Sequence, residues 1–257
     1  MKVHAVLASA VILSACAGEV DDTSTDVMDG NPAAVIGGTV DEGDPAVAYL
    51  QVAQPAEDGF TEFSTCTASL IAPKVLLMAA HCVEPWLVEN ATITAFFGTD
   101  VFTGEGTWVN VKEVHAEPRY TSSNIRAGHD IAVGILEEPV PIAPLPYNRA
   151  PMTAADVGEP VRLIGFGRDE DWADGIKRHV STTINTVTPT LLGLGDATHH
   201  TCTGDSGGPA LMNVNGVPTI VGVTSFSTTG DFTICTDGWD ARVDLSVDFI
   251  DQFVNAN

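Results

Sequence analysis

From Val35 onward, short apolar runs alternate with clusters of glycine, proline, aspartate and asparagine. The runs Val47 to Val52, Lys74 to Met78, Ala91 to Phe97, Val161 to Ile164 and Thr219 to Ser225 are four to seven residues long and rich in Val, Ile, Leu, Thr and Phe. Branched and aromatic side chains in runs of that length suit pleated, half-buried strands, and the turn formers between them interrupt the chain too often for helices. An all-β fold is predicted. Helical spacing occurs only near the end, where Leu245, Phe249, Ile250, Phe253 and Val254 fall on one face and predict a short closing helix. Before Val35 the pattern changes. Lys2 leads into an apolar run from Ala5 to Ala15, and residues 18 to 34 are acidic, poor in large apolar groups and broken by Gly30 and Pro32. That second stretch reads as a flexible linker or pro-segment.

The 257 residues are 44% hydrophobic, enough to bury a sizeable core as one β-rich unit or two small ones. With 34 acidic against 11 basic residues the formal net charge is -23, which disfavours a nucleic-acid partner held by phosphate neutralisation and suits solubility instead. Residues 1 to 17, MKVHAVLASAVILSACA, have the basic start, apolar middle and small-residue end of an export signal, too short for the ~20 apolar residues of a permanent span. LSAC at 13 to 16 resembles a bacterial lipobox, in which Cys16 is lipidated; Ala15-Cys16-Ala17 is alternatively an ordinary cleavage site. The chain is expected to be secreted, or held at the bacterial cell envelope or outer membrane by a lipid alone. Setting Cys16 aside leaves Cys66, Cys82, Cys202 and Cys235, an even set that suits an oxidising compartment and allows three pairings. No C-x-x-C spacing of the kind usual in zinc sites occurs among them, so no metal is expected.

Gly204-Asp205-Ser206-Gly207-Gly208 places a serine among glycines, where the backbone can turn tightly and leave room for a substrate carbonyl. The same G-x-S-x-G pattern serves the nucleophile elbow of α/β-hydrolases, in which the histidine base follows the serine. Here no histidine follows Ser206; the last is His200. The base must lie upstream, among His81, His115, His129, His179, His199 and His200, and His81 stands out in AAHC at 79 to 82, directly after the apolar run Val75 to Met78. Asp130 opens the strand-like HDIAVGIL at 129 to 136; read alone, it is an ordinary strand-entry aspartate.

Together these stretches closely resemble the chymotrypsin and trypsin family of serine proteases, in that family's order of histidine, aspartate and serine. The resemblance runs from Val35 to the C-terminus through VIGG at 35 to 38, CTASLIAPKVLLMAAHC at 66 to 82, HDIAVGIL at 129 to 136, GFG at 165 to 167, CTGDSGGPA at 202 to 210, TSFS at 224 to 227 and GWDARV at 238 to 243. It implies two packed six-stranded antiparallel β-barrels, about 35 to 145 and 146 to 257, with a catalytic crevice between them, and pairings of Cys66 with Cys82 and of Cys202 with Cys235. It implies Ser206 as nucleophile, His81 as base, Asp130 as the group that orients His81, and the N–H groups of Gly204 and Ser206 as oxyanion donors. Ser225 resembles the family serine that contacts the triad aspartate. A zymogen is implied too, in which cleavage at Ala34-Val35 frees an amine that inserts beside Asp205. Alanine before the cut, instead of the usual arginine or lysine, points to an activating protease that prefers small residues.

In the primary pocket, His200 stands where trypsin-type members carry an aspartate, so cleavage after arginine or lysine is disfavoured. Thr201, Ser225, Phe226, Ser227 and Gly238 complete the pocket, with Ser227 in place of the usual glycine and Phe226 in place of tryptophan. A polar, somewhat narrowed pocket is expected, suited to acidic or to small uncharged side chains. No cofactor is expected. The expected partners are protein or peptide substrates and an activating protease, and a monomer is expected. The rivals are a catalytically silent binding or adhesion protein and an esterase on the same fold.

Overall fold

The computed structural model describes residues 35–56, 59–168, 174–228 and 235–257. The expected signal peptide at 1 to 17, Cys16 and the pro-segment at 18 to 34 lie outside the described residues. The strands, in chain order, are β1 (Thr39–Val40), β2 (Val47–Pro55), β3 (Thr61–Ala72), β4 (Val75–Met78), β5 (Thr92–Gly98), β6 (Gly106–Ala116), β7 (Ala132–Leu136), β8 (Pro160–Gly165), β9 (Arg178–Val187), β10 (Leu191–Leu194), β11 (Pro209–Val214), β12 (Val217–Phe226) and β13 (Gly238–Arg242). Each expected apolar run lies in one of them, displaced by a residue or a few at its ends.

Six strands close into a barrel in the order β2-β3-β4-β7-β6-β5, with Tyr49 of β2 opposite Phe96 of β5 at the seam. A second barrel runs β9-β10-β13-β12-β11-β8 and closes where Pro160 to Gly165 pair with Thr183 to Arg178. All pairs are antiparallel, and closure leaves few unpaired strand edges. Leu50, Leu70, Leu76 and Phe96 are fully buried in the first core, and Val35, Leu163, Leu192 and Val221 in the second. Strand β4, VLLM, is buried at every position, which explains why it reads as a continuous apolar run.

Two disulfides form as the resemblance implied, Cys66–Cys82 and Cys202–Cys235, with Cα separations of 6.4 and 5.4 Å. The closing helix, α1 (Val247–Val254), sets Ile250 into the core of the first barrel, while Phe253 stacks on His115 at 4.6 Å. At the start of the described residues Thr39 and Val40 pair with His179 and Arg178 of β9, and buried Val35 packs among the second core's side chains.

Candidate active site

Ser206 lies in the turn between β10 and β11, held from both barrels. Thr67 N–H of β3 donates to Ser206 O at 2.8 Å, and Gly207 N–H donates to Thr224 O of β12 at 2.8 Å. Gly204 and Gly207 adopt φ of 97° and 86°, which favours glycine. A Cβ on Gly207 would run into the Thr67 carbonyl, and one on Gly204 would meet Gly167 Cα at 2.8 Å. Among the described residues, neither the N–H of Gly204 nor that of Ser206 has a protein partner.

His81 and Asp130 arrive on neighbouring strands. β4 and β7 pair with Met78 opposite Ala132; His81 follows β4 in the single turn Ala80–Val83, and Asp130 immediately precedes β7. The pairing therefore sets the two side chains beside each other. Asp130 is fully buried and accepts three hydrogen bonds: from His81 Nδ1 at 2.7 Å, His81 N–H at 2.9 Å and Ser225 Oγ at 2.6 Å. The proton on His81 must then sit on Nδ1, leaving Nε2 as an acceptor. Ser206 Oγ makes no hydrogen bond to the described residues. Cys82 Sγ spans the gap, 3.8 Å from His81 Nε2 and 3.7 Å from Ser206 O. Contacts of this kind often tighten only when substrate binds.

Burial opposes the imidazolium form of His81, but the Asp130 charge, its hydrogen bond and the more distant Glu84 carboxylate outweigh it and hold the His81 pKa above its ordinary value. Burial likewise opposes ionisation of Asp130, yet His81 and Ser225 together hold its carboxyl below the usual range. Glu84 is itself fixed by the Tyr120 hydroxyl at 2.6 Å and by Trp86 Nε1. Replacing Glu84 with glutamine is expected to lower the His81 pKa and carry the acid limb of a kcat/KM–pH profile towards lower pH. A limb that stays in place would show that the Glu84 charge does not reach His81.

Asp205 is fully buried, with Gly167 N–H on Oδ1 and Cys202 N–H on Oδ2, each at 2.8 Å, and a further bond from the Val35 N–H. Desolvation pushes its pKa up to about 7 despite those donors. A Cβ on Gly165 or Gly167 would strike the Asp205 side chain, which accounts for the glycines of GFG. Val35 adopts φ of 58°, strained for a β-branched residue.

His200 is 1% exposed; its Nδ1 meets Asp196 O at 2.7 Å, and Nε2 has no partner among the described residues. Thr201 is buried, and its Oγ1 lies 3.1 Å from the place of a Cβ on Gly238. Ser227 Oγ donates to Asp237 at 2.8 Å, and Asp237 also takes Thr228 Oγ1 at 2.7 Å and Trp239 Nε1 at 3.0 Å. The Phe226 ring stacks parallel to Trp239 and carries the Arg126 guanidinium 5.5 Å above its centre. Cys66, His81 and Cys82 cluster closely enough to suggest metal ligands, but the two sulfurs are bonded to each other, so no thiolate is offered.

A family model described as Trypsin matches residues 38–250. The chain belongs to the trypsin family. It is similar to a chymotrypsin-like elastase family member 1 of Bos taurus, 28% identical over 68% of this chain and 73% of that protein. Similar relatives include a trypsin of Saccharopolyspora erythraea, 27% identical over 74% of this chain and 87% of that protein. Proproteinase E of Bos taurus is 27% identical over 84% of this chain and 94% of that protein. Like these relatives, this trypsin-family chain is a serine endopeptidase.

Several groups around this trypsin-family site carry no sequence signal of their own. Glu84, Tyr120, Arg126 and Asp237 are ordinary surface-type residues until the fold assembles them. Thr67 lies inside a motif recognised for its cysteine, and its contacts come from residues about a hundred or more positions away.

Proposed function

We propose that the chain hydrolyses peptide bonds through His81, Asp130 and Ser206 by way of an acyl-enzyme. The observation that carries this reading is buried Asp130 bonded to His81 Nδ1, which leaves Nε2 free to act as base. Neutral His81 takes the Ser206 proton as Oγ attacks the substrate carbonyl, then gives it to the departing amine. Asp130 stabilises the imidazolium formed between the two steps. The unpartnered N–H groups of Gly204 and Ser206 stabilise the oxyanion, and water then hydrolyses the ester by the same steps.

Residues 1–17 act as an export signal, with Cys16 as a lipidation site, and 18–34 as a pro-segment ahead of a protease domain at 35–257. The precursor is activated by a cut at Ala34–Val35. Val35 supports this assignment, since its nitrogen already bonds Asp205 and its strained φ ceases to be constrained once the preceding peptide is broken. The name proproteinase E of one relative fits a precursor.

His200 decides the primary pocket. Its Nδ1 proton is committed to Asp196 O, so the neutral ring offers a lone pair at Nε2. A lone pair repels a carboxylate, and His200 supplies no anion for arginine or lysine. Cleavage after small or medium uncharged residues is therefore the expected result. A peptide library varied at the residue before the cut, digested by the form beginning at Val35, checks this. Preference for arginine or lysine would overturn the His200 assignment, and no cleavage of any peptide would overturn the triad.

A further inference from the structure

Thr67 is fully buried where β3 passes behind the Ser206 loop. Its N–H donates to Ser206 O at 2.8 Å. Its hydroxyl donates to Gly204 O at 3.0 Å and accepts from Phe166 N–H at 3.1 Å. One residue of the first barrel thus ties down the carbonyls of both residues assigned above as oxyanion donors. Accepting from Phe166 leaves the hydroxyl's single proton aimed at Gly204 O. The Thr67 methyl group sits 3.3 Å from the place of a Cβ on Gly208, so the side chain is packed as well as bonded.

The tie matters at Gly204, whose peptide bond to Asp205 is held from its other side by Asp205 N–H on Cys202 O at 3.0 Å. At φ of 97° it has no side chain to limit rotation, and turning its carbonyl would reorient the N–H groups on either side. Donors aimed in advance cost no reorganisation when the charge develops. We propose that Thr67 is a positioning residue whose hydroxyl fixes the Gly204–Asp205 peptide, and so aims the oxyanion donors at the transition state. This inference rests on the serine endopeptidase reading.

The test compares wild type, Thr67→Val and Thr67→Ser, each beginning at Val35 and each corrected for its titrated active sites. Valine removes the hydroxyl and leaves Gly204 O and Phe166 N–H unpaired, so kcat is expected to fall about ten- to a hundredfold with KM little changed. A peptide boronate, which forms a tetrahedral adduct with Ser206, should lose affinity by a similar factor. A cleaved product peptide, which forms no such adduct, should bind as before, and serine should restore most of the loss. Thr67→Ala carries the same comparison if the valine variant does not fold. Equal losses for boronate and product peptide, or no loss, would overturn the inference while wild type remains active. A wild type that neither cleaves peptides nor binds boronate would remove the endopeptidase reading and this one with it.

Discussion

Alanine at Ser206 is expected to lower kcat by about six orders of magnitude in the form beginning at Val35. His81→Ala should cost about as much, and the double variant should fall no further, because nucleophile and base act on one proton and lose their function together. Asp130→Asn is expected to cost about four orders of magnitude, since an amide that donates to His81 would favour the wrong tautomer. These magnitudes are carried over from the same three groups in other enzymes, the last within this family. Ser206 Oγ bonds no described residue, so Ser206→Ala should leave the melting temperature unchanged and still bind peptide. Single-turnover kinetics with a peptide ester and amide check the series. Losses that add across the double variant would show that the two residues do not form a catalytic unit.

Asp205 gives the second large effect. In the uncut chain its carboxyl is met, among the described residues, by backbone N–H groups and no cation, and its pKa is pushed up to about 7 from 3.8. A raised carboxyl pKa means that the folded precursor holds a proton the unfolded chain has released. The associated stability is complete below about pH 4 and is lost as the pH rises through about 7, on the order of 4 kcal/mol in all. Cutting before Val35 turns its amide into an ammonium, whose charge favours ionised Asp205. The cut form should therefore be the more stable of the two at pH 8, and its advantage should shrink or reverse by pH 4. In Asp205→Asn the precursor should lose its fall in stability between pH 4 and 7. The cut form of that variant should lose two to three orders of magnitude in kcat/KM, roughly what an unpaired buried ammonium costs. Melting curves of both forms across pH, with activity assays beside them, decide the matter. An unchanged pH profile in Asp205→Asn would remove Asp205 from the switch.

Much of this was legible because it is local or ordered along the chain. Short branched runs between turn formers specify strands, and the absence of any histidine after Ser206 excludes the α/β-hydrolase order. The glycines around Ser206 mark a loop at which backbone from both barrels converges. The final helix was visible in the spacing of Phe249, Ile250 and Phe253.

Other features exist only after folding. Thr39 and Val40 pair with β9 of the second barrel and Val35 finds its apolar partners there, and nothing in VIGG itself specifies that destination. Asp130 reads as a common strand-entry acid; complete burial and three donors distinguish it, and those donors come from β12 and from the turn after β4. Asp240 sits in a strand motif, yet burial pushes its carboxyl well above the ordinary range. The sequence by itself determined the strands, the order of the chemical groups and the family they resemble, since propensity, turn chemistry and motif order are written along the chain. The tertiary structure alone decided which N–H and hydroxyl groups face which acids. Hydrogen-bond geometry and desolvation depend on distances of a few ångströms between residues tens to hundreds of positions apart.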